Sequence, residues 1–87
     1  MESYSLRLKC SVAKDLRAFP KAHVAAILRR MGELARDPRG PGCEKLSGLE
    51  RYRVRQGDYR ILYEINDKVL TVLVVKVAHR KEAYRRA

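Results

Sequence analysis

Arginines occupy every second position of the stretch Arg51, Arg53 and Arg55, which follows a loop rich in proline and glycine. Alternate side chains of an extended strand project to the same side, so these three guanidinium groups form a row. Neighbouring guanidinium groups repel one another unless an anion lies across them, and a phosphate backbone suits their bidentate geometry. The row predicts a phosphate-binding surface. The alternative is a solvated strand whose charges only discourage aggregation.

Arg60 lies on the next strand-like run, within otherwise apolar sequence. It shares a face with Leu62, so its charge lies near apolar surface where water screens it less. We expect it beside the arginine row. The alternatives are an ion pair with Asp58 or Glu64, or an aliphatic stem that only covers apolar surface.

The C-terminal segment places an imidazole at His79, a guanidinium at Arg80 and a phenol at Tyr84. Cleavage of RNA by its own 2′-hydroxyl needs a base, a cation that stabilises the phosphorane and an acid for the leaving oxygen. These three residue types supply that chemistry, although a surface histidine with no chemical task is the alternative for His79. His23 receives no role.

The elements that must position these residues follow from periodicity and turn signals. Ser11 has the character of an N-cap, and Pro20 separates a brief helix from a longer amphipathic one. The sequence predicts strands at residues 4–9, 49–56, 59–65 and 68–77, and a loop at 37–48. It predicts a helix at 12–19 and a second helix that begins after Pro20 and includes Arg36, with its apolar stripe at residues 24–35.

This β-α-α-β-β-β order predicts an α+β fold in one domain, residues 1–87, with two helices on one face of a small, mainly antiparallel sheet. Residues 69–75 are apolar on both faces apart from Thr71, which is typical of a strand in the middle of a sheet. The opposite face would be open to a ligand.

The composition favours a partner that carries negative charge. The chain has a formal net charge of +10 and is 46% hydrophobic, which is too apolar for disorder. Much of the excess charge falls in residues 51–60 and 76–86. Cys10 and Cys43 lie in no zinc-binding spacing, so we expect no metal or other cofactor, although one disulfide stays open. No segment is typical of a membrane span or secretory signal, which favours the cytoplasm.

The motifs, taken in order, resemble one family. They are Leu46-Ser47-Gly48-Leu49, Gly57-Asp58-Tyr59-Arg60 and His79-Arg80 followed by Tyr84. Together they are similar to the RelE branch of the RelE/ParE toxin superfamily, across essentially the whole chain. The resemblance implies a RelE-like microbial ribonuclease fold and a ribosome-dependent endoribonuclease that cleaves mRNA, and a small antitoxin that wraps and neutralises it.

The resemblance also implies residue roles. Arg53 and Arg55 stand where the best-known members have lysines, Arg60 matches their phosphate-binding arginine, and Arg80 and Tyr84 match their tail residues. Arginine is not a base near neutral pH. His79 is then the better candidate for proton transfer. Tyr84 is left to stack on a base or to transfer a proton.

The residues leave other functions open besides the ribonuclease. The runner-up function is a ParE-like toxin that inhibits DNA gyrase without catalysis, against which the intact His79, Arg80 and Tyr84 argue. A degenerate family member or a non-catalytic RNA-binding module is the third possibility. The partners expected are mRNA, the ribosome and a cognate antitoxin whose acidic amphipathic helix either covers the basic face or displaces the segment that carries Tyr84.

Overall fold

The computed structural model of the protein describes residues 3–46 and 51–79. Neither helix in this part of the chain is long and apolar enough to cross a membrane. In chain order the elements are β1 (Ser5–Leu8), α1 (Cys10–Arg17), α2 (Lys21–Arg36), β2 (Glu44–Lys45), β3 (Arg51–Gln56), β4 (Tyr59–Asn66) and β5 (Thr71–His79).

The five strands form one sheet in the order β1-β5-β4-β3-β2. Among these described strands only β1 and β5 pair in parallel, and the three other pairings are antiparallel. The predicted α+β fold with a mainly antiparallel sheet is therefore confirmed. The apolar strand β5 has neighbours on both sides, as its sequence predicts.

The core lies between the helices and one face of the sheet. Ile27, Met31 and Leu34 line the apolar stripe of α2, and each is at most 1% exposed. Along β4, Tyr59, Ile61 and Tyr63 are buried, whereas the residues between them are only partly covered. The helix-side face of the sheet is thus apolar, and Arg60, Leu62 and Glu64 project from the other face, called here the open face.

Strand β5 contains a β-bulge that changes its alternation. Leu62 pairs with Lys76 and Tyr63 with Val74, so Val75 is an extra residue without a partner on β4. Val74 and Val75 are both buried for this reason, although they are neighbours in the strand. Simple alternation from Val72 and Val74 would place residues 76 and 78 on the helix side of the sheet. Because of the bulge, residues 77 and 79 lie on that side.

The predicted starts of helix α1 and strand β5 are wrong. Helix α1 begins at Cys10 after Lys9, with no side-chain cap, so Ser11 lies inside the helix and is not its N-cap. Strand β5 begins at Thr71 and not at residue 68, because the Asn66 side chain accepts hydrogen bonds from the backbone of Lys68 and Val69 and holds a turn there.

The hairpin between β3 and β4 has the two-residue turn that the sequence predicts. Gln56 pairs with Tyr59 across the turn, and Gly57 has a φ of 60°, which glycine adopts without strain. Since this turn fixes the register, it also fixes which arginine on β3 lies opposite Arg60.

Candidate phosphate-binding site

Three arginines share the open face near the β3–β4 turn. Arg55 lies directly opposite Arg60, and Arg53 lies opposite Leu62, one row further along the sheet. A cavity of about 310 Å³ is lined by Gly42, Glu44, Arg53, Arg55 and Arg60. The structure therefore brings Arg53, Arg55 and Arg60 together, and the arrangement can bind a phosphate group from several sides.

Arg51 is separated from this arginine cavity. Its Nη2 donates a hydrogen bond to Glu64 Oε2 at 3.0 Å, and the two residues are paired across β3 and β4. Arg51 and Glu64 line a larger open groove of about 1090 Å³, which also includes Arg7 and Lys68. Glu64, an alternative partner for Arg60 in the sequence, therefore pairs with Arg51.

One wall of the arginine cavity is a strand that the sequence did not reveal. Strand β2 has only two residues, and it pairs Glu44 with Arg53. Glu44 Oε2 accepts a hydrogen bond from Arg53 Nη2 at 2.7 Å. A two-residue strand shows no periodicity, and the proline and glycine signals before it predict only a loop, so no local signal in the sequence marks Glu44 as part of the site.

The loop before β2 is held by an ion-pair network. Arg39 donates from Nη2 to Asp67 Oδ2 at 2.9 Å and from Nε to the Tyr52 hydroxyl at 3.3 Å. The Tyr4 hydroxyl donates to Asp67 Oδ1 at 2.6 Å. The hydrogen bonds from Arg39 and then Tyr4 lower the pKa of Asp67, and the bond with Asp67 raises the pKa of Arg39. The network ties the loop to the β4–β5 turn.

A buried hydrogen bond from strand β4 also holds this loop in place. The hydroxyl of Tyr63, which is 0% exposed, donates to the carbonyl oxygen of Pro38 at 2.6 Å. Burial is the main reason that the pKa of Tyr63 lies well above its ordinary value, and a hydrogen bond with Cys43 raises this pKa further. Both cysteines are free thiols, so the disulfide that the sequence left open does not form.

His79 lies on the other face of the sheet from the arginine cavity. It pairs with Tyr59 across β4 and β5, and the two rings meet edge to face with centroids 5.2 Å apart. Tyr59 is also 4.7 Å from the ring of Phe19, and its hydroxyl is 2.9 Å from Nδ1 of His23. His79 therefore joins an aromatic cluster beneath the helices, and the described geometry does not bring it to Arg60. His23, to which the sequence gave no role, belongs to this cluster.

The remaining predicted site residues, Arg80 and Tyr84, lie outside the described residues, as do Ser47 to Leu49 of the Leu-x-Gly-Leu motif. Within residues 3–46 and 51–79, no three His, Cys, Asp or Glu side chains are grouped so that they could hold a metal ion. In this part of the chain, the chemistry available at the cavity comes from guanidinium groups and one carboxylate.

The sequence of the chain is similar to those of known bacterial toxins. Residues 6–84 match the family described as the ParE toxin of the type II toxin–antitoxin system parDE. The toxin RelG of Mycobacterium tuberculosis is 34% identical over 87 residues, an alignment that covers 95% of this chain and 98% of RelG. The chain belongs to the RelE/ParE superfamily of type II toxins. The toxin RelE of the same organism is 31% identical over 84 residues, covering 94% of this toxin.

Solved structures of RelE proteins share the fold of the toxin. The RelBE2 toxin–antitoxin complex of Mycobacterium tuberculosis matches with a TM-score of 0.80 and 29% identity, covering 91% of the toxin and 100% of the matched chain. The archaeal RelE–RelB complex from Pyrococcus horikoshii matches with a TM-score of 0.81 and 30% identity, covering 91% and 97%. The resemblance drawn from the sequence motifs, and the RelE-like fold that it implied, are confirmed.

Proposed function

We propose that the toxin is an endoribonuclease that cleaves mRNA on the ribosome and so stops translation in the cytoplasm. The observation that carries the proposal is the cavity in which Arg53, Arg55 and Arg60 converge on the open face of the sheet. Several guanidinium groups around a space of this size suit a phosphate whose negative charge grows during the reaction.

In this mechanism the 2′-oxygen of a nucleotide attacks the adjacent phosphorus, and the bond to the 5′-oxygen of the next nucleotide breaks. Arg53, Arg55 and Arg60 would bind the non-bridging oxygens and stabilise the phosphorane. Arg80 is assigned to the same phosphate, and Tyr84 to base stacking or proton transfer, on the family resemblance alone. Arg51, in the neighbouring groove, would bind the RNA backbone away from the scissile bond.

The role predicted for His79 in proton transfer stays a prediction. Its ring contacts Tyr59 on the helix side, whereas the arginines project from the open face. The aromatic contact supports a packing role at the root of the C-terminal segment. A base for the 2′-hydroxyl is therefore better sought among the groups that line the cavity.

The test is cleavage of a defined mRNA on programmed ribosomes with purified toxin. We expect fragments that end in a 2′,3′-cyclic or 3′-phosphate, and about a 10²-fold slower cleavage by Arg60→Ala. Arg29→Ala is the matched control, because Arg29 is an exposed arginine of α2. Arrested translation with intact message would overturn the proposal.

A cognate antitoxin is part of the proposed function. The matched structures from Mycobacterium tuberculosis and Pyrococcus horikoshii are both complexes, of toxin with antitoxin and of RelE with RelB. The net charge of +10 favours an antitoxin with an acidic helix. An antitoxin that binds only the folded toxin should raise its melting temperature, and unchanged melting in its presence would contradict the proposal.

A second candidate function is inhibition of DNA gyrase, because the matched family is described as the ParE toxin. The relatives named RelG and RelE, and the arginine cavity, favour the ribonuclease. A supercoiling assay separates the two functions. Inhibition of purified gyrase by the toxin, with mRNA left intact on ribosomes, would establish the second candidate in place of the first.

A further inference from the structure

The arginine cavity needs a group that takes the proton from the attacking 2′-hydroxyl. Guanidinium groups stay protonated near neutral pH and carry no acceptor. Among the described residues that line the cavity, Glu44 is the only one whose side chain can accept a proton. A carboxylate is one of the side-chain groups that act as general bases in enzymes.

The position of Glu44 is set by its pairing with Arg53. The two residues lie opposite one another on β2 and β3, and Glu44 Oε2 is 2.7 Å from Arg53 Nη2. A guanidinium has five N–H donors, so Arg53 can bind this carboxylate and a phosphate oxygen at the same time. A phosphate held by Arg53 would therefore lie close to the carboxylate.

The chemistry of RNA places the nucleophile in the same space. The 2′-hydroxyl is on the ribose carbon next to the one that carries the 3′-oxygen and the scissile phosphate. A base beside that phosphate is therefore within reach of the 2′-hydroxyl proton. The side chain of Glu44 is 67% exposed, which lets the proton pass on to water after the reaction.

We propose that Glu44 is the general base of RNA cleavage, an inference that rests on the proposed ribonuclease function. Glu44 removes the proton of the 2′-hydroxyl as the 2′-oxygen forms its bond to phosphorus. The bond from phosphorus to the 5′-oxygen breaks, and this oxygen takes a proton from water. The products are a 2′,3′-cyclic phosphate and a 5′-hydroxyl, and Glu44 returns its proton to solvent.

The experiment compares Glu44→Gln with the wild-type toxin on programmed ribosomes under single-turnover conditions. The amide keeps the size of the side chain and can no longer act as a base. We expect the cleavage rate to fall about 10²-fold or more. Binding is measured with an mRNA whose scissile nucleotide is 2′-deoxy, and we expect its affinity to stay equal or to rise, because one negative charge has left the cavity.

Two further variants keep the test independent of folding. Glu44→Asp retains a carboxylate and should recover part of the lost rate. Glu33→Gln removes the carboxylate of another ion pair, Arg30–Glu33 on α2, and should cleave at the wild-type rate. A melting curve measured for every variant checks that each one is folded.

The outcomes separate this inference from the proposed function. Cleavage by Glu44→Gln within about threefold of wild type, with Arg60→Ala slowed about 10²-fold, would overturn the role of Glu44 and leave the ribonuclease standing. A loss of rate that is matched by an equal loss of affinity would also overturn it, because Glu44 would then only shape the binding site. Absence of cleavage by the wild-type toxin would overturn the proposed function and this inference together.

Discussion

Arg55 and Arg60 lie directly opposite one another on neighbouring strands, and both line the arginine cavity. Like charges at directly opposed positions of an antiparallel pair destabilise a sheet, by roughly 0.2–1 kcal/mol. A bound phosphate would convert this repulsion into attraction. The pair therefore has the character of a functional site, where stability is given up for binding.

Because of this relationship, we expect Arg55→Gln to stabilise the folded toxin and to slow its cleavage of mRNA. The free energy of unfolding should rise by about 0.2–1 kcal/mol, because the repulsion at Arg60 is relieved. Cleavage of mRNA on ribosomes should slow by about 10²-fold, since one ligand of the phosphate is lost. Urea unfolding and single-turnover cleavage measure the two effects. Arg29→Gln is the control, and an Arg55→Gln variant that unfolds at lower urea would contradict the prediction.

A second prediction concerns the free toxin without RNA. Inorganic phosphate at millimolar concentration should raise the melting temperature, because an anion that binds only the folded state stabilises it. The double variant Arg55→Gln, Arg60→Gln should lose most of this effect. A control with the same net charge is Arg17→Gln, Arg29→Gln, which changes exposed arginines of the two helices. Equal shifts of the melting temperature in the two double variants would mean that phosphate stabilises the toxin through its overall charge and not through binding at Arg55 and Arg60.

The arginine side of the site could be predicted from sequence because its determinants are local. Alternation along β3 and the two-residue turn at Gly57 and Asp58 are enough to place Arg53, Arg55 and Arg60 on one face. The apolar stripe of α2 likewise indicates which side of the helix packs on the sheet. Arg51 shares this face, and the same two-residue turn places it opposite Glu64, so the position of their ion pair follows from the register of β3 and β4.

The position of His79 could not be predicted, for a specific physical reason. Counting in twos from the buried residues Val72 and Val74 would place His79 on the open face, with the arginines. The bulge at Val75 adds one residue and sends Val77 and His79 to the helix side. A bulge of one residue leaves no trace in the sequence here, because residues 72–75 are all valine or leucine.

A third prediction follows from the contact between His79 and Tyr59. His79→Phe should cleave mRNA within about threefold of the wild-type rate, because the ring contact is kept and only the proton-transfer group is lost. His79→Ala should lower the free energy of unfolding by about 1 kcal/mol, since an aromatic pair contributes roughly 0.5–1.5 kcal/mol. A loss of about 10²-fold in His79→Phe would instead support the role in proton transfer that the sequence predicts for His79.

The last prediction uses the lowered pKa of Asp67. The carboxylate accepts hydrogen bonds from Arg39 and Tyr4 only in the folded state, so folding favours its ionised form. The folded toxin then binds fewer protons than the unfolded chain, and the stabilisation is fully present above the unfolded pKa of about 3.9. It is lost as the pH falls from there through the lower pKa of the folded state.

Asp67→Asn isolates this contribution. At pH 7 the variant should unfold at lower urea than the wild type, and the difference between them should shrink as the pH falls from about 5 towards 3. Other carboxylates titrate in both proteins, so the quantity to measure is the difference between the two midpoints at each pH. Glu33→Gln, which removes the carboxylate of the exposed Arg30–Glu33 pair, is the control. A difference between Asp67→Asn and wild type that stays constant over this range would mean that Asp67 stabilises the loop by packing and not by its charge.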